Sequence, residues 1–583
     1  MASTNTSESF GSNQGLLQSL QQHATSSIIT WLLLPLIGIA FLHHVFRPKA
    51  NEPPSLPGLI PYVSNTYQYI TDNSRFLERA TEALKKSSVV KFNLGADTVY
   101  LVAGSHNVQK LFRNSSNNTL SSDKFIVMVN GRVQGMTDKD VAVMYNDRSG
   151  RLKTPAAGTE SMPEDQRFWV GLHHVFNEHL FRAEATARLA ESFITFFGEK
   201  LDQQPRDEWK TLQLFKYLRK DMAEAATISL AGRKLIEDHP EFVDIFWEFD
   251  TIAMQLMYGL PTWINPRPKQ IQRKTLAMMS DFLTDAWAKF DWNGPDADAD
   301  WEPIFGSRLQ REHSKFWEKK GFSLQSRAGM YIGSITGINS NSVPQTAWAV
   351  MEVVKDRSLF HAVRQEVDSV SIIDPKTGKP TFDVGKLVTL PLLQSIYVET
   401  LRMHVSINIT REVMEPMELD GYHLSKGSLV QAPTQIGHRE ESVWGVEGHP
   451  ASEFWAERHI KYVEKEDENG KLRRVKEFAV AGRPSDFFPY GKPNTPKDVI
   501  PMALANRRVA GGGVSMCPGR FFAKQEIMLA VAMIASRFDI EFEDWVNFDG
   551  SHSERPPMND KAYVGAGAVP PDRDMRIRWK RRW

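Results

Sequence analysis

A chain of 583 residues with one cysteine, Cys517, has to fold without an internal disulfide, and that thiol has no second cysteine with which to build a zinc site. Its neighbours are just as restrictive. Gly511-Gly512-Gly513 comes shortly before it, and glycines let the backbone approach a flat ligand closely. Pro518 follows and suits the first turn of a helix, and Arg520 to Phe538 reads as an amphipathic helix. Cys517 is therefore expected on a glycine-rich loop feeding a helix N-terminus. Free N–H groups and the positive dipole end stabilise a thiolate there, which is the chemistry of an axial haem ligand. The other reading is a buried, inert thiol, the commoner fate of a lone cysteine.

The pattern Gly513-x3-Cys517-Pro518-Gly519-Arg520 resembles the haem-binding loop of the cytochrome P450 family, and the resemblance spans roughly residues 58–583. It implies a mainly α fold with a small β region and a haem b whose iron is held by Cys517. Two departures stand out. The family usually has Phe seven residues before the cysteine, where this chain has Ala510, and often Arg or His two residues before, where it has Ser515. Gly513 and Ser515 are candidate cofactor-binding positions in this loop.

Lys+Arg and Asp+Glu both total 70, so no global charge argues for a nucleic-acid partner. One cysteine fits a domain folded on the cytosolic side of a membrane. No Lys, Arg, Asp or Glu occurs between Glu8 and Arg47, and Ile28 to Phe46 is nearly all apolar. About 20 residues at 1.5 Å each span a bilayer core of about 30 Å. A secretory signal would want basic residues ahead of that run, and the first 27 residues contain no Lys or Arg. An uncleaved transmembrane helix is expected over 27–46, after a disordered, polar, lumenal tail over 1–26. Asn5-Thr6-Ser7 is its glycosylation sequon, which makes a glycoprotein of the chain. Arg47 and Lys49 follow the apolar run, so the positive-inside rule places the remainder in the cytosol. A Pro-rich hinge over 47–57 leads into the catalytic domain, 58–583, at the endoplasmic reticulum membrane.

Val89 to Val102 reads as a hairpin around a Gly-containing turn, after which the pattern becomes mainly helical. Pro163-Glu164-Asp165 reads as a helix start. That helix carries Trp169 and His173, which share a face at a spacing of four. By resemblance the pair packs near the haem, with His173 reaching a propionate, and a partly exposed helix histidine is the alternative. Pro240 to Leu260 and Gln270 to Phe290 read as two aromatic- and Met-rich helices around a Pro-rich turn, which the family uses to roof the substrate pocket.

Ser323 to Asp356 is the longest helical reading. Its middle holds Gly333, Ser334, Gly337, Asn339, Ser340, Asn341 and Ser342 before Pro344, and such polar residues are costly in an apolar helix unless they line a site. Pro344 also leaves the Ser340 carbonyl without its helical donor. The family's corresponding helix crosses the haem with an acidic residue followed by Thr. This chain has Asn341-Ser342, similar to the sterol 7α-hydroxylase and prostacyclin synthase branch, and these two are the candidate catalytic residues. Glu399 and Arg402 lie three apart on one helix face, and the resemblance couples them to Arg458 in a buried structural triad. Arg411 is a further candidate for a haem propionate. Glu464 to Arg474 suggests a solvated hairpin, and Gly565 to Pro571 a hairpin tip reaching toward the substrate. Arg576, Arg578, Lys580, Arg581 and Arg582 suggest a solvated basic strand.

The implied reaction is insertion of one oxygen atom from O2 into a lipophilic small molecule of secondary metabolism, terpenoid, sterol-like or polyketide. NADPH-cytochrome P450 reductase would be the electron donor. Members lacking the Thr include isomerases that rearrange a peroxide without a reductase, so Asn341 keeps that alternative open, and a non-catalytic haem-binding membrane protein is a third.

Overall fold

The computed structural model describes residues 51–60, 62–116, 119–259, 261–375, 378–466, 470–481 and 517–583. The expected tail and membrane helix, and with them Gly513 and Ser515, lie outside the described residues. Among the described residues no helix is long and apolar enough to cross a membrane. The chain divides into Met1–Pro54 and Ser55–Trp583, and every described helix and strand belongs to the second.

Helices fill most of the chain after Gly104, and eight position the site: α1 (Phe168–Phe176), α2 (Ala183–Asp202), α3 (Phe242–Tyr258), α4 (Arg267–Lys289), α5 (Arg308–Lys319), α6 (Leu324–Lys355), α7 (Pro391–His404) and α8 (Arg520–Arg537). Their ends follow from local chemistry. The Ser323 side chain accepts from the Ser326 N–H and starts α6. Asp356 stops it and accepts from Ser358 and Leu359 of the next helix. Gly259 ends α3 in the left-handed region at φ 66°, which costs glycine nothing, and Pro268 sits in the first turn of α4. The Glu366 carboxylate accepts from the N–H groups of Leu392 and Leu393, both at 2.9 Å, at the start of α7.

Two expected helices differ. At Pro163 only a single 3-10 turn forms, Glu164–Gln166, and Arg167 is extended before α1 begins. The reason is the Arg167 side chain, which is buried and donates to Ser149 Oγ at 3.0 Å and to the carbonyls of Lys153 and Leu152 at 2.7 and 2.6 Å. Helix α8 is not amphipathic, since every residue from Glu526 to Arg537 is buried. Its run Ile527 to Ala535 is apolar all round, which suits a helix packed on all sides. It packs against both α2 and α6.

The main sheet orders β1 (Val89–Leu94), β2 (Asp97–Val102), β4 (Leu429–Pro433), β3 (Val405–Val413) and β8 (Ala566–Ala568) as β1-β2-β4-β3-β8. β1 pairs antiparallel with β2 in the expected hairpin, with Val89 opposite Val102. β4 runs parallel to β2 and antiparallel to β3, with Val430 opposite Arg411. β8 pairs antiparallel with β3, Ala568 opposite Val405. Since β3 follows α7 directly, this edge carries the C-terminal segment back to the helical core. The charged insertion forms an exposed hairpin of β5 (Ile460–Glu466) and β6 (Leu472–Phe478). β7 (Phe538–Val546) and β9 (Asp574–Arg581) pair antiparallel. The basic strand β9 is solvated on one face only, because Met575, Ile577 and Trp579 point inward and are buried, as the two-residue period of a strand requires.

Candidate active site

Cys517 lies immediately ahead of α8, whose N-cap is Gly519. The side chain has accessible surface, yet protein encloses the sulfur on most sides. Burial is the largest influence on the thiol and pushes its pKa up. The N–H groups of Gly519 and Arg520 and the charge of Arg520 pull it down, as a helix N-terminus does for a thiolate. Arg520 donates to the Cys517 carbonyl at 2.9 Å and lies over the Phe181 ring at 5.2 Å.

A cluster of cations forms around Trp169. The indole is fully buried, and its Nε1–H has no partner among the described residues. The Arg151 guanidinium lies 4.2 Å from the ring centroid. Arg151 also repels charge on two further groups. Burial first, and Arg151 second, lower the pKa of Arg411 to about 10 and lower that of half-buried His173. Three segments thus bring Arg151, Trp169, His173 and Arg411 together. Asp123 is the acid paired with Arg151. Arg151 escaped the sequence reading because it sits in a loop with no periodicity to single it out.

The centre of α6 is polar as expected, but its side chains point in different directions. Asn341 donates from Nδ2 to the Gly337 carbonyl at 3.1 Å, and its Oδ1 accepts from the Ala568 N–H of β8 at 3.3 Å. The C-terminal hairpin tip therefore holds the Asn341 amide. Gly337 is exposed, and apart from its chain neighbours and its own helix backbone nothing lies within 4 Å of where its Cβ would be. Ser340 donates to the buried Asp250 of α3, and Asn339 donates to Thr227 at 2.9 Å. Ser342 is 0% exposed and lies beside Glu526 of α8. Burial pushes the Glu526 carboxyl up to about 8, with Ser342 pulling it down. Neither the Glu526 oxygens nor the Ser342 hydroxyl close a good hydrogen bond with a described residue. Glu526 was missed although it is an acid inside an apolar helical run, the same signal that singled out α6.

Glu399, Arg402 and Arg458 are all fully buried side chains. Arg402 grips Glu399 with two bonds of 2.8 Å, and Arg458 Nε donates at 2.8 Å. His459 Nε2 stands 3.3 Å away and the Trp455 N–H donates at 3.1 Å. Burial alone would raise the Glu399 carboxyl, but hydrogen bonds from Arg402 and His459 outweigh it and hold the group well below the usual carboxylate range. The remaining guanidinium hydrogens go to carbonyls of His438, Ala451, Glu453, Trp444, His449 and Pro450.

This donor set fits a thiolate-bound haem. The sulfur lies at a helix N-terminus, and an orphaned indole N–H, two arginines and a histidine suit the haem carboxylates. Comparison with known proteins agrees. The family model for Cytochrome P450 matches residues 340–458. The cytochrome P450 monooxygenase calL of Penicillium decumbens is 45% identical over 92% of this chain and 94% of its own length. The cytochrome P450 monooxygenase fsoE of Humicola fuscoatra is 25% identical over 92% and 88%. The cholesterol 7-alpha-monooxygenase of Cricetulus griseus is 22% identical over 92% and 94%.

Proposed function

The chain belongs to the cytochrome P450 family and is a monooxygenase of it, and we propose that it places one oxygen atom from O2 into a lipophilic small molecule. Terpenoid, sterol-like and polyketide scaffolds are the classes proposed, the cofactor being haem b and the electron donor NADPH-cytochrome P450 reductase. Cys517 would hold the iron. Trp169, Arg151, Arg411 and His173 would hold the haem carboxylates. When bound, the haem supplies the dioxygen chemistry.

What the chain supplies is protons and position. An amide can orient a water but cannot give up a proton at neutral pH. Asn341 is therefore the orienting group, fixed by the Ala568 N–H and the Gly337 carbonyl. Glu526, with a pKa near 8, is protonated at neutral pH and acts as the donor. The Ser342 hydroxyl beside it passes the proton toward the Asn341 water, as a positioned acid with a pKa near the operating pH does efficiently.

A lipophilic substrate is supported by the aromatic- and Met-rich helices α3 and α4 and by the similarity to a cholesterol 7-alpha-monooxygenase. A single-pass anchor in the endoplasmic reticulum membrane, with the catalytic domain cytosolic, is supported by the apolar run Ile28 to Phe46. Exposed Leu59, Ile60, Tyr67 and Trp263 also support apposition to a membrane.

The observation that carries this reading is the chain's only thiol at the N-terminal end of α8, with the N–H groups of Gly519 and Arg520 on its sulfur. The test is Cys517→Ala, which should abolish the red-shifted carbon monoxide band of a thiolate haem. A variant that keeps the band would overturn the assignment.

A further inference from the structure

The α4–α5–α6 junction forms a cavity of about 330 Å³ that is open on one side, a size within the range of small-molecule sites. Its wall includes Leu283 and Trp287 of α4, Trp317 of α5 and Tyr331 of α6. The Trp287 and Trp317 rings both line it, and aromatic faces suit a planar guest. No residue of the haem-binding set contributes to it. Tyr331 precedes Asn341 by ten residues on the same helix, about 15 Å along the axis.

Two polar side chains in this wall are incompletely partnered. Gln310 is 1% exposed. Its amide engages the Tyr331 phenol, and its Oε1 has no hydrogen-bond partner among the described residues. A buried acceptor left this way is unfavourable unless something donates to it. Arg327 lies on the first turn of α6 with its guanidinium 5.3 Å from the Trp287 ring centroid. Its Nε has no partner, and among the described residues no carboxylate pairs with it. An arginine stacked on an aromatic face keeps its donor edge free, and that edge matches a carboxylate with two bonds.

We propose that this cavity is a second ligand site, separate from the haem, for a planar aromatic carboxylic acid bearing a hydrogen-bond donor. The ring lies against Trp287 and Trp317, the carboxylate meets Arg327, and a hydroxyl or N–H donates to Gln310 Oε1. Because α6 carries both this cavity and Asn341, an occupant would act on the enzyme as an effector rather than as its substrate.

The test is calorimetric titration of the full-length, haem-loaded protein with 4-hydroxyphenylacetate, with the Soret band recorded in parallel. Saturable binding that leaves the Soret band unmoved is expected. Arg327→Met, or replacing the probe by its neutral amide, should weaken binding about tenfold or more, the loss that 1.4 kcal/mol represents. Gln310→Leu should weaken it severalfold. Haem content and the melting temperature report whether each variant is folded. If Arg327→Met does not fold, Thr284→Trp is the second variant, since Thr284 lines the cavity and is exposed and a bulky side chain there should block the probe. The proposal is overturned if the wild type does not bind the probe, or if folded variants bind it as the wild type does. It also fails if binding shifts the Soret band and is displaced by an iron-ligating azole, which would put the probe in the haem pocket.

Discussion

Glu399 and Glu526 are both fully buried carboxyl groups on core helices, and the molecule treats them in opposite ways. Around Glu399 both oxygens have donors: Oε1 accepts from Arg402, Arg458 and the Trp455 N–H, and Oε2 accepts from Arg402, with His459 alongside. That group is held ionised, well below the usual carboxylate range. Around Glu526 among the described residues there is only the Ser342 hydroxyl, and the carboxyl is pushed up to about 8. Burial is the same in both, so partners decide the charge. A region that spends all its hydrogen bonds holds the fold. A region that leaves some open can move a proton.

The largest effect should come from opening the closed network. Removing one partner of a buried ion pair costs about 3–5 kcal/mol, against a domain stability of about 5–15 kcal/mol. Arg402→Ala is therefore expected to yield a chain that does not retain haem, read as haem per polypeptide and as a lost thermal transition. Normal haem content would show that the network is dispensable. The pH dependence follows from the sign of the shift. The Glu399 contribution is present above the unfolded pKa of about 4.5 and is lost as pH falls below it toward the depressed native value.

At the open region the expected loss is in coupling rather than in fold. Asn341→Ala should keep haem and substrate binding but divert NADPH electrons to hydrogen peroxide, while Asn341→Thr keeps oxygenation in part. Product formed per NADPH should fall in the wild type as pH rises through about 8, where Glu526 ionises. Glu526→Gln should have low coupling at all pH values. General acids contribute roughly 10²–10⁴ in rate, so unchanged coupling in either variant would remove that residue from the proton route.

A smaller and opposite effect is expected on stability at the same residue. The native state binds the Glu526 proton more tightly than the unfolded chain, whose value is near 4.5. Stability should therefore fall as pH rises between 4.5 and about 8. Glu526→Leu should remove that slope and raise the melting temperature near pH 8, because an unpartnered buried polar group costs about 1–3 kcal/mol. The smallest change belongs to the exposed hairpin of β5 and β6. Its Lys465–Glu477 pair is solvated on both sides, and Lys465→Ala should shift stability by no more than about 0.5 kcal/mol.

Several features were legible because their physics is local. The hairpin of β1 and β2, the two helices flanking the Pro-rich turn, and α6 with its polar centre all follow from spacing, caps and turn residues within a short window. The place of Cys517 ahead of a helix was legible because Pro518 and the helical run after it mark a helix start. The amphipathic reading of α8 failed because a helix surrounded on all sides needs no polar face. The break at Arg167 was hidden because its partners are buried carbonyls 14 and 15 residues away.

By itself, then, the sequence determined most of the helices, the place of the thiol at the head of α8, and the family that its loop resembles. Tertiary structure alone decided which groups meet. It set Arg151 beside Trp169, His173 and Arg411. It gave Asn341 a backbone donor 227 positions away, and it turned Ser342 toward Glu526. Periodicity reports which face of an element is buried, whereas the partner met there depends on how distant elements pack, which no single window of residues encodes.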